Sequence, residues 1–406
     1  MRNWRITLAA AWVAQFLCIV GFNAVGPFYP FYIRALGVTD VHQVTLWAGI
    51  LASTGAVSMA LMSPIWGVLA DRHGRKIMVV RATFGGAVVL GAMAFVQSVQ
   101  QLFVLRLLQG MLTGTVSAFM TLIATIAPAG EVGFALGMMQ MAVFGGASVG
   151  PLVGGLVADN LGYRWVFGVT GLLLLAGGLL ALALIHEEFT PPQGRRNNGL
   201  RDGVRTITHS MPVLGAIVAL AGMSMSNAVP SPVLPLLVES LQRDAALVNT
   251  ATGLVYGANA IGSALAAVLI GRLVDRRGAR IFMLACGGGA VLGHLTQALA
   301  PSFAVVAAGA FLQGISVGGL MVSANATLAR AVPKEQQGAI YGMSNSTGSA
   351  GSALGPMLGA SVATAWGMRA PFATAAGLMA LVTAWVAVSL KPPRAAESAS
   401  QANAHE

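Results

Sequence analysis

Charged side chains are scarce in this sequence: Asp, Glu, Lys and Arg make up 9% of its 406 residues, where soluble domains carry about 25%. With 56% hydrophobic residues and a mean hydropathy of +0.75, a soluble globular fold is excluded, because such a surface would aggregate. Cysteine is almost missing. Cys18 and Cys286 sit in apolar stretches of opposite halves, so no disulfide framework is indicated. The histidines His42, His73, His186, His209, His294 and His405 show no metal-ligand spacing, and no nucleophile motif or phosphate loop occurs. The sequence therefore predicts no catalytic residue, no metal site, no cofactor and no enzyme.

What is abundant is apolar sequence in runs long enough to cross a hydrocarbon core of roughly 30 Å. Twelve such spans run over residues 7–33, 44–70, 77–98, 101–126, 133–158, 164–186, 211–238, 248–274, 281–300, 302–329, 338–363 and 369–390. The first is too long, and lacks the flanks, for a cleaved signal peptide. The net charge of +10 does not point to nucleic acid, because the basic residues are sorted by side. With the N-terminus in the cytoplasm, only Arg34, Arg164, Arg243 and Arg369 fall on the outer side, and only Arg106 lies firmly within a span. That positive-inside bias places both termini in the cytoplasm of a bacterial inner membrane. The remaining basicity sets topology and meets lipid headgroups.

A decapeptide occurs twice, 204 residues apart: Gly67-Val68-Leu69-Ala70-Asp71-Arg72-His73-Gly74-Arg75-Lys76 and Gly271-Arg272-Leu273-Val274-Asp275-Arg276-Arg277-Gly278-Ala279-Arg280. Pro27 and Pro30 recur as Pro232 and Pro235, Gln109-Gly110 as Gln313-Gly314, and Gly150-Pro151 as Gly355-Pro356, all offset by 204 or 205. A half-length period in an apolar chain is the mark of a doubled transporter fold. The expected organisation is a six-helix bundle over 1–186, a cytoplasmic linker over 187–210, a second bundle over 211–390 and a disordered tail over 391–406.

These residues carry a family resemblance. The segment 67–76 resembles the signature loop between helices 2 and 3 of the major facilitator superfamily, with Gly67, Leu69, Asp71, Arg72, Gly74, Arg75 and Lys76 matching. Gly146-Ala147-Ser148-Val149-Gly150-Pro151-Leu152-Val153-Gly154-Gly155 is similar to the helix-5 motif of its antiporter branch, and Arg106-Leu107-Leu108-Gln109-Gly110 to the helix-4 motif. The resemblance implies an all-α membrane protein of twelve transmembrane helices in two pseudo-symmetric six-helix bundles. It further implies export of amphipathic drugs or toxic compounds by alternating access, in exchange for protons, by a chain acting as a monomer. The alternative is a transporter of a small metabolite, a sugar or an organic anion.

Each motif has a physical reading. Asp71 ends helix 2, where a carboxylate can accept from a neighbouring helix terminus and pair with Arg72 or Arg75. Gly67, Gly74, Lys76 and the second-copy Asp275 complete a cytoplasmic latch. Ala142, Gly146, Gly150, Gly154 and Ala158 make one small-residue face, repeated by Thr347, Gly351, Gly355, Gly359 and Ala363. Such faces let backbones approach, Pro151 and Pro356 bend them, and the expectation is that the two halves rock along them. Arg106 either holds an anionic or carbonyl-bearing substrate, tunes a proton site, or snorkels to the outer interface. Asn23, Gln140, Asn227, Tyr256, Asn259 and Asn345 are the polar candidates on cavity-lining helices. Arg34 and Glu239, 205 apart just past the proline pairs, are expected to pair as an outer gate. One departure matters: the first span, Thr7 to Ile33, contains no carboxylate, although the antiporter branch often carries one there. The coupling proton must then ride on an edge acid, with Asp40 near Arg106 the leading choice, on the substrate, or on a histidine such as His294.

Overall fold

The structure, a computed structural model, describes residues 4–128, 130–187, 207, 210–242, 244, 247–332 and 334–389, without the side chains of Asp71, Asp275 and residues 334–339. The tail over 391–406 and nearly all of the linker lie outside the described residues. Among the described residues there are fifteen α-helices and no strand. The first span is built from α1 (Trp4–Val25), a 3-10 turn (Gly26–Phe28) and α2 (Tyr29–Ala35), broken where Pro27 and Pro30 cannot donate to the helical ladder. The seventh breaks at the equivalent place into α9 (Met211–Ala228) and α10 (Leu234–Leu241), around Pro230, Pro232 and Pro235.

The second, third, fifth and sixth spans are α3 (Val41–His73), α4 (Arg75–Met93), α7 (Val132–Leu161) and α8 (Tyr163–Leu184). The fourth is split into α5 (Val99–Leu112) and α6 (Thr115–Ile126) at Gly114, whose φ is +118°. In the second half, α11 (Val248–Arg277), α12 (Ala279–Ala298), α13 (Phe303–Ala331), α14 (Lys334–Trp366) and α15 (Ala370–Ser389) complete the set. Here the tenth span, α13, runs unbroken. Each decapeptide folds as the end of one helix and the start of the next around a single glycine, Gly74 at φ +94° and Gly278 at φ +84°. A side chain would strain both turns.

Eleven of the twelve spans are long and apolar enough to cross a membrane on their own. The exception, α14, is 33 residues long but rich in Gly, Ser and Thr. Its small residues face other helices: a β-carbon at Gly351 would meet Ala221 O at 2.8 Å on α9. In the first half, buried Phe28, Tyr32, Phe119 and Phe167 belong to one core cluster. The second half holds two, one around Met283, Leu320 and Met379 and one around Val233, Leu237 and Phe372.

The glycine series do not join the halves, contrary to the sequence expectation. β-Carbons at Gly146, Gly150 and Gly154 would strike Ile19, Val20 O and Ala24 O of α1, the last at 2.1 Å. Gly351, Gly355 and Gly359 meet Ala221, Met225 and Val229 in the same way. The reason is steric: the bent first span of each half, and its counterpart the seventh, needs a flat neighbour, and the small face of the fifth or eleventh span supplies it. The proline segments do reach across. A β-carbon at Gly253 would lie 2.5 Å from Pro151 O, and one at Gly49 2.8 Å from Pro356 O, so α7 meets α11 and α14 meets α3 backbone to backbone.

Candidate functional site

The end of the bundle that carries Gly74 and Gly278 is termed the basic end, and the opposite one the far end. At the far end the halves are tied by polar contacts. Arg34 NH1 donates to both carboxylate oxygens of Glu239, at 2.6 and 2.8 Å. Asp159, near the last turn of α7, accepts from Asn249 Nδ2 at 2.7 Å, Thr250 N at 2.8 Å and Thr250 Oγ1 at 2.6 Å. The first turn of α11 has Leu247 at its N-cap and no side-chain cap of its own. Asp159 supplies that cap from the other half, where the carboxylate also meets the positive end of the helix dipole. Gly155 packs there too, since a β-carbon would sit 2.5 Å from Asn249 O. On the helices that meet across the halves, Gly155 and Gly253 face the other half, whereas among the described residues nothing lies within 4 Å of a β-carbon placed at Gly67, Gly133, Gly137 or Gly342 toward the basic end.

Two adjoining cavities lie between these ends. The larger, about 200 Å³, is bordered by Asn23, Tyr29, Arg106 and Pro151 of the first half and by Pro232 of the second. The smaller, about 150 Å³, is bordered by Asn227, Asn259, Gln297 and Gln313. Ser231 and Tyr256 border both. Arg106 is the one charged side chain among the residues lining them. Its Nε donates to Leu51 O at 3.0 Å, an NH1 proton goes to Gln109 Oε1, and its guanidinium carbon stands 5.1 Å from the Tyr29 ring centre. Such a cation, held by a carbonyl, an amide and an aromatic face rather than by a carboxylate, keeps its charge available to a ligand.

Several expected residues join this site and others do not. Asn23 donates to Ile19 O at 2.9 Å, Asn259 to Ala310 O at 3.1 Å and Tyr256 to Ser231 O at 3.5 Å, and Asn227 accepts from Gln313. Gln140 and the exposed Asn345 border neither cavity and sit nearer the basic end of α7 and α14. Asp40 is not brought to Arg106. It caps α3, accepting from Gln43 N at 2.8 Å, about 16 Å of helix away from Leu51 at the usual rise per residue. Of the latch residues, the side chains of Asp71 and Asp275 lie outside the described residues. Arg72 is exposed, while the backbone N–H groups of Arg75 and Lys76 donate to Glu187 at 2.9 and 2.6 Å. Glu187 thus caps α4, whose N-cap is Gly74. Lys76 Nζ reaches Leu182 O at 2.9 Å.

Sequence reasoning missed Asp159 and Glu187. The available signal was indirect: α4 and α11 each begin without a Ser, Thr, Asp or Asn cap. Arg81, counted with the cytoplasmic basic residues, holds its guanidinium carbon 3.6 Å from the Trp66 ring centre.

Comparison with known proteins agrees with this architecture. The Major Facilitator Superfamily model matches residues 11–251 and again 213–406. The multidrug resistance protein MdtG of Klebsiella pneumoniae (strain 342) is 32% identical over 403 residues, 99% of this chain and 97% of that protein. MdtG of Salmonella typhimurium is 32% identical over 377 residues, 93% of each. Among solved structures, the nucleoside transporter NupG superposes with a TM-score of 0.77 at 15% identity, covering 95% of this chain and 100% of that one. A bacterial homologue of the human lysosomal transporter Spinster gives 0.77 at 15%, covering 96% and 97%. With two repeated six-span halves, a central cavity and matches over nearly its whole length, the chain belongs to the Major Facilitator Superfamily and is a multi-pass membrane transporter, not an enzyme.

Proposed function

We propose that the protein exports amphipathic drugs or toxic compounds across the bacterial inner membrane by alternating access, in exchange for protons, with the basic end and both termini in the cytoplasm. The observation that carries this reading is the asymmetry of closure. The far end is sealed by Asp159 capping α11 and by Arg34 pairing with Glu239, while Gly67, Gly133, Gly137 and Gly342, toward the basic end of helices that meet across the halves, have no neighbour within 4 Å among the described residues. Between them lies a mostly apolar cavity with one cation. That is the arrangement of a carrier open to the cytoplasm, ready to take an amphipathic compound whose polar group meets Arg106. Similarity to MdtG proteins supports the multidrug substrate class.

In this reading Arg34 and Glu239 act as an outer gate. Asp71, Arg72, Arg75, Lys76 and Asp275 form the latch that engages when the basic end closes. Asp71→Asn should abolish transport while sparing expression, and Asp275→Asn should be milder. Arg106 also favours a second reading, carriage of a small organic anion. Both are tested with purified protein in liposomes under an imposed pH gradient, alongside a susceptibility panel in a strain lacking its own exporters. Accumulation of panel compounds that collapses with the gradient is expected. Accumulation indifferent to the gradient sinks proton exchange and favours the facilitated anion.

A further inference from the structure

A connected group of buried polar side chains in the second half is left unused by the site described above. His294 on α12 is 1% exposed. Its Nε2 lies 3.1 Å from Ser226 Oγ and 3.3 Å from Gln313 Nε2. Ser226 donates to Ala375 O at 2.9 Å. Gln313 accepts from Gln297 Nε2 at 2.9 Å and donates to Asn227 Oδ1. The other ring nitrogen, Nδ1, is buried with no hydrogen-bond partner. Asn227, Gln297 and Gln313 border the smaller cavity and His294 stands behind them.

A neutral imidazole offers one donor and one acceptor, and a charged one offers two donors. With the Ser226 proton spent on Ala375, Nε2 either accepts from the Gln313 amide or donates to Ser226 Oγ. Each neutral tautomer leaves one fault: with Nε2 accepting from Gln313, Nδ1–H faces no acceptor, and with Nε2–H donating to Ser226 that proton opposes the Gln313 NH₂. A ring with both protons meets both faults at once. The charged ring requires Gln313 turned over, so that Oε1 accepts from Nε2, and Nδ1 brought to water or a carbonyl. An amide turns without changing shape, and Gln297 and Asn227 can turn with it, reversing the direction of the whole chain of bonds.

Among the described helices around it, no counter-charge stands nearby to hold the ring charged. Neither α9 nor α15 contains a charged residue. Those of α11 (Arg272, Asp275, Arg276, Arg277), α13 (Arg330) and α12 (Arg280) all lie in the turns at the basic end. Cys286, two turns away on α12, and Tyr256 on α11, bordering the same cavity, are the remaining titratable side chains of these helices.

We propose that His294 is the proton-binding site that couples the second half to transport, its ring neutral when the far end is closed and proton-bearing when that end opens, with Gln313 and Asn227 turning their amides to pass the change to the cavity. The inference rests on the proton-exchange reading above and fits its direction. A proton from the far side joins a ring nitrogen lone pair as that side opens, and it leaves to the basic side once the far end has closed and the cavity takes its next load.

The test reads the ring directly. Full-length protein carrying ¹⁵N-histidine is placed in lipid nanodiscs, with the His294 signals assigned through His294→Asn, and titrated between about pH 8 and pH 5. In an Asp159→Asn, Glu239→Gln double variant, with the far-end contacts cut, the ring should take up its proton at about tenfold lower proton concentration than in wild type. Identical titration in the two proteins overturns the proposal. In liposomes, His294→Asn should keep gradient-free exchange of the dye rhodamine 6G within about twofold of wild type, while gradient-driven accumulation falls by at least about tenfold. Full gradient-driven accumulation by His294→Asn overturns the assignment and leaves proton exchange standing. Wild-type protein that exchanges the dye yet ignores the gradient overturns the exchange reading, and this inference with it.

Discussion

Gln109 and Gln313 occupy equivalent positions of the two halves, 204 residues apart, and each touches the basic group of its own half. Gln109 accepts from Arg106, one turn away on α5. Gln313 faces His294, which comes from the neighbouring helix α12. Around them the framework is shared. Thr170 Oγ1 donates to Gly21 O at 3.1 Å in the first half, and Ser226 Oγ to Ala375 O at 2.9 Å in the second, the same helix contact with the hydroxyl moved to the opposite partner. Arg164 reaches Val96 O as Arg369 reaches Ala300 O, and Lys76 reaches Leu182 O as Arg280 reaches Ala387 O. Contacts that finish a helix end need only one donor and a backbone carbonyl, so both halves can make them. The basic groups are single: Arg106, a permanent cation lining the larger cavity, in one half and His294, a ring behind the smaller cavity, in the other, and on the proposal above one would hold a ligand and the other a proton.

The comparison can be broken first at the scaffold it assumes. Alanine at Gly154 would put a β-carbon 2.1 Å from Ala24 O, and at Gly359 1.7 Å from Val229 O. Neither carbonyl can yield without moving a helix, so each substitution should cost roughly 3 kcal/mol, at the upper end for overpacking. Folded protein in the membrane, measured by fluorescence-detected gel filtration, should fall more than tenfold for both. A drop confined to one variant would show that the halves do not share this seat.

Arg106→Ala comes next. It should leave abundance near wild type and lower initial transport rates in liposomes by about a hundredfold, as loss of an interaction worth roughly 3 kcal/mol does. Arg106→Lys should recover little, because one ammonium cannot serve Leu51 O and Gln109 Oε1 in the planar geometry of a guanidinium. Wild-type rates for Arg106→Ala would remove the first half's cation from the mechanism.

The twelve spans, their doubling and the Arg34–Glu239 pair were legible in the sequence, because run length, repeat offset and matched position survive translation into three dimensions. Asp159 was not. Its partners are a backbone N–H, a hydroxyl and an amide on the first turn of a helix from the other half, and no spacing records them. The glycine series was recognised as a packing face but assigned the wrong neighbour, since smallness says that something comes close without saying what. His294 and Gln297 share a face at i and i+3, yet the ring's main partners, Ser226 and Gln313, come from two other helices.

The far-end closure offers the smaller effects. Asp159→Asn keeps the shape but turns an NH₂ group toward donors, so part of the cap is lost, at roughly 1.5 kcal/mol. A Ser231→Cys reporter, at a position bordering both cavities, should then be alkylated from the far side about tenfold faster. The second half has no matching acid to compensate: position 364, equivalent to 159, is Thr364. An unchanged alkylation rate would mean that Asp159 merely caps α11 without holding the halves together.

Glu239→Gln should do least. The side chains of the Arg34–Glu239 pair are 30% and 38% exposed, so the attraction is shared with solvent and worth about 0–1 kcal/mol. Alkylation of the same reporter should rise less than about fivefold in dilute buffer, and the rise should disappear near 1 M salt, where screening acts within about 3 Å. The Asp159 effect should persist at that salt concentration, because its bonds end on neutral N–H and O–H groups. A charge swap, Arg34→Glu with Glu239→Arg, should restore the slow rate if the two positions contribute through attraction alone. Failure of the swap would assign the effect of these positions to the packing of the helix ends, leaving the Asp159 cap of α11 as a polar contact that closes the far side.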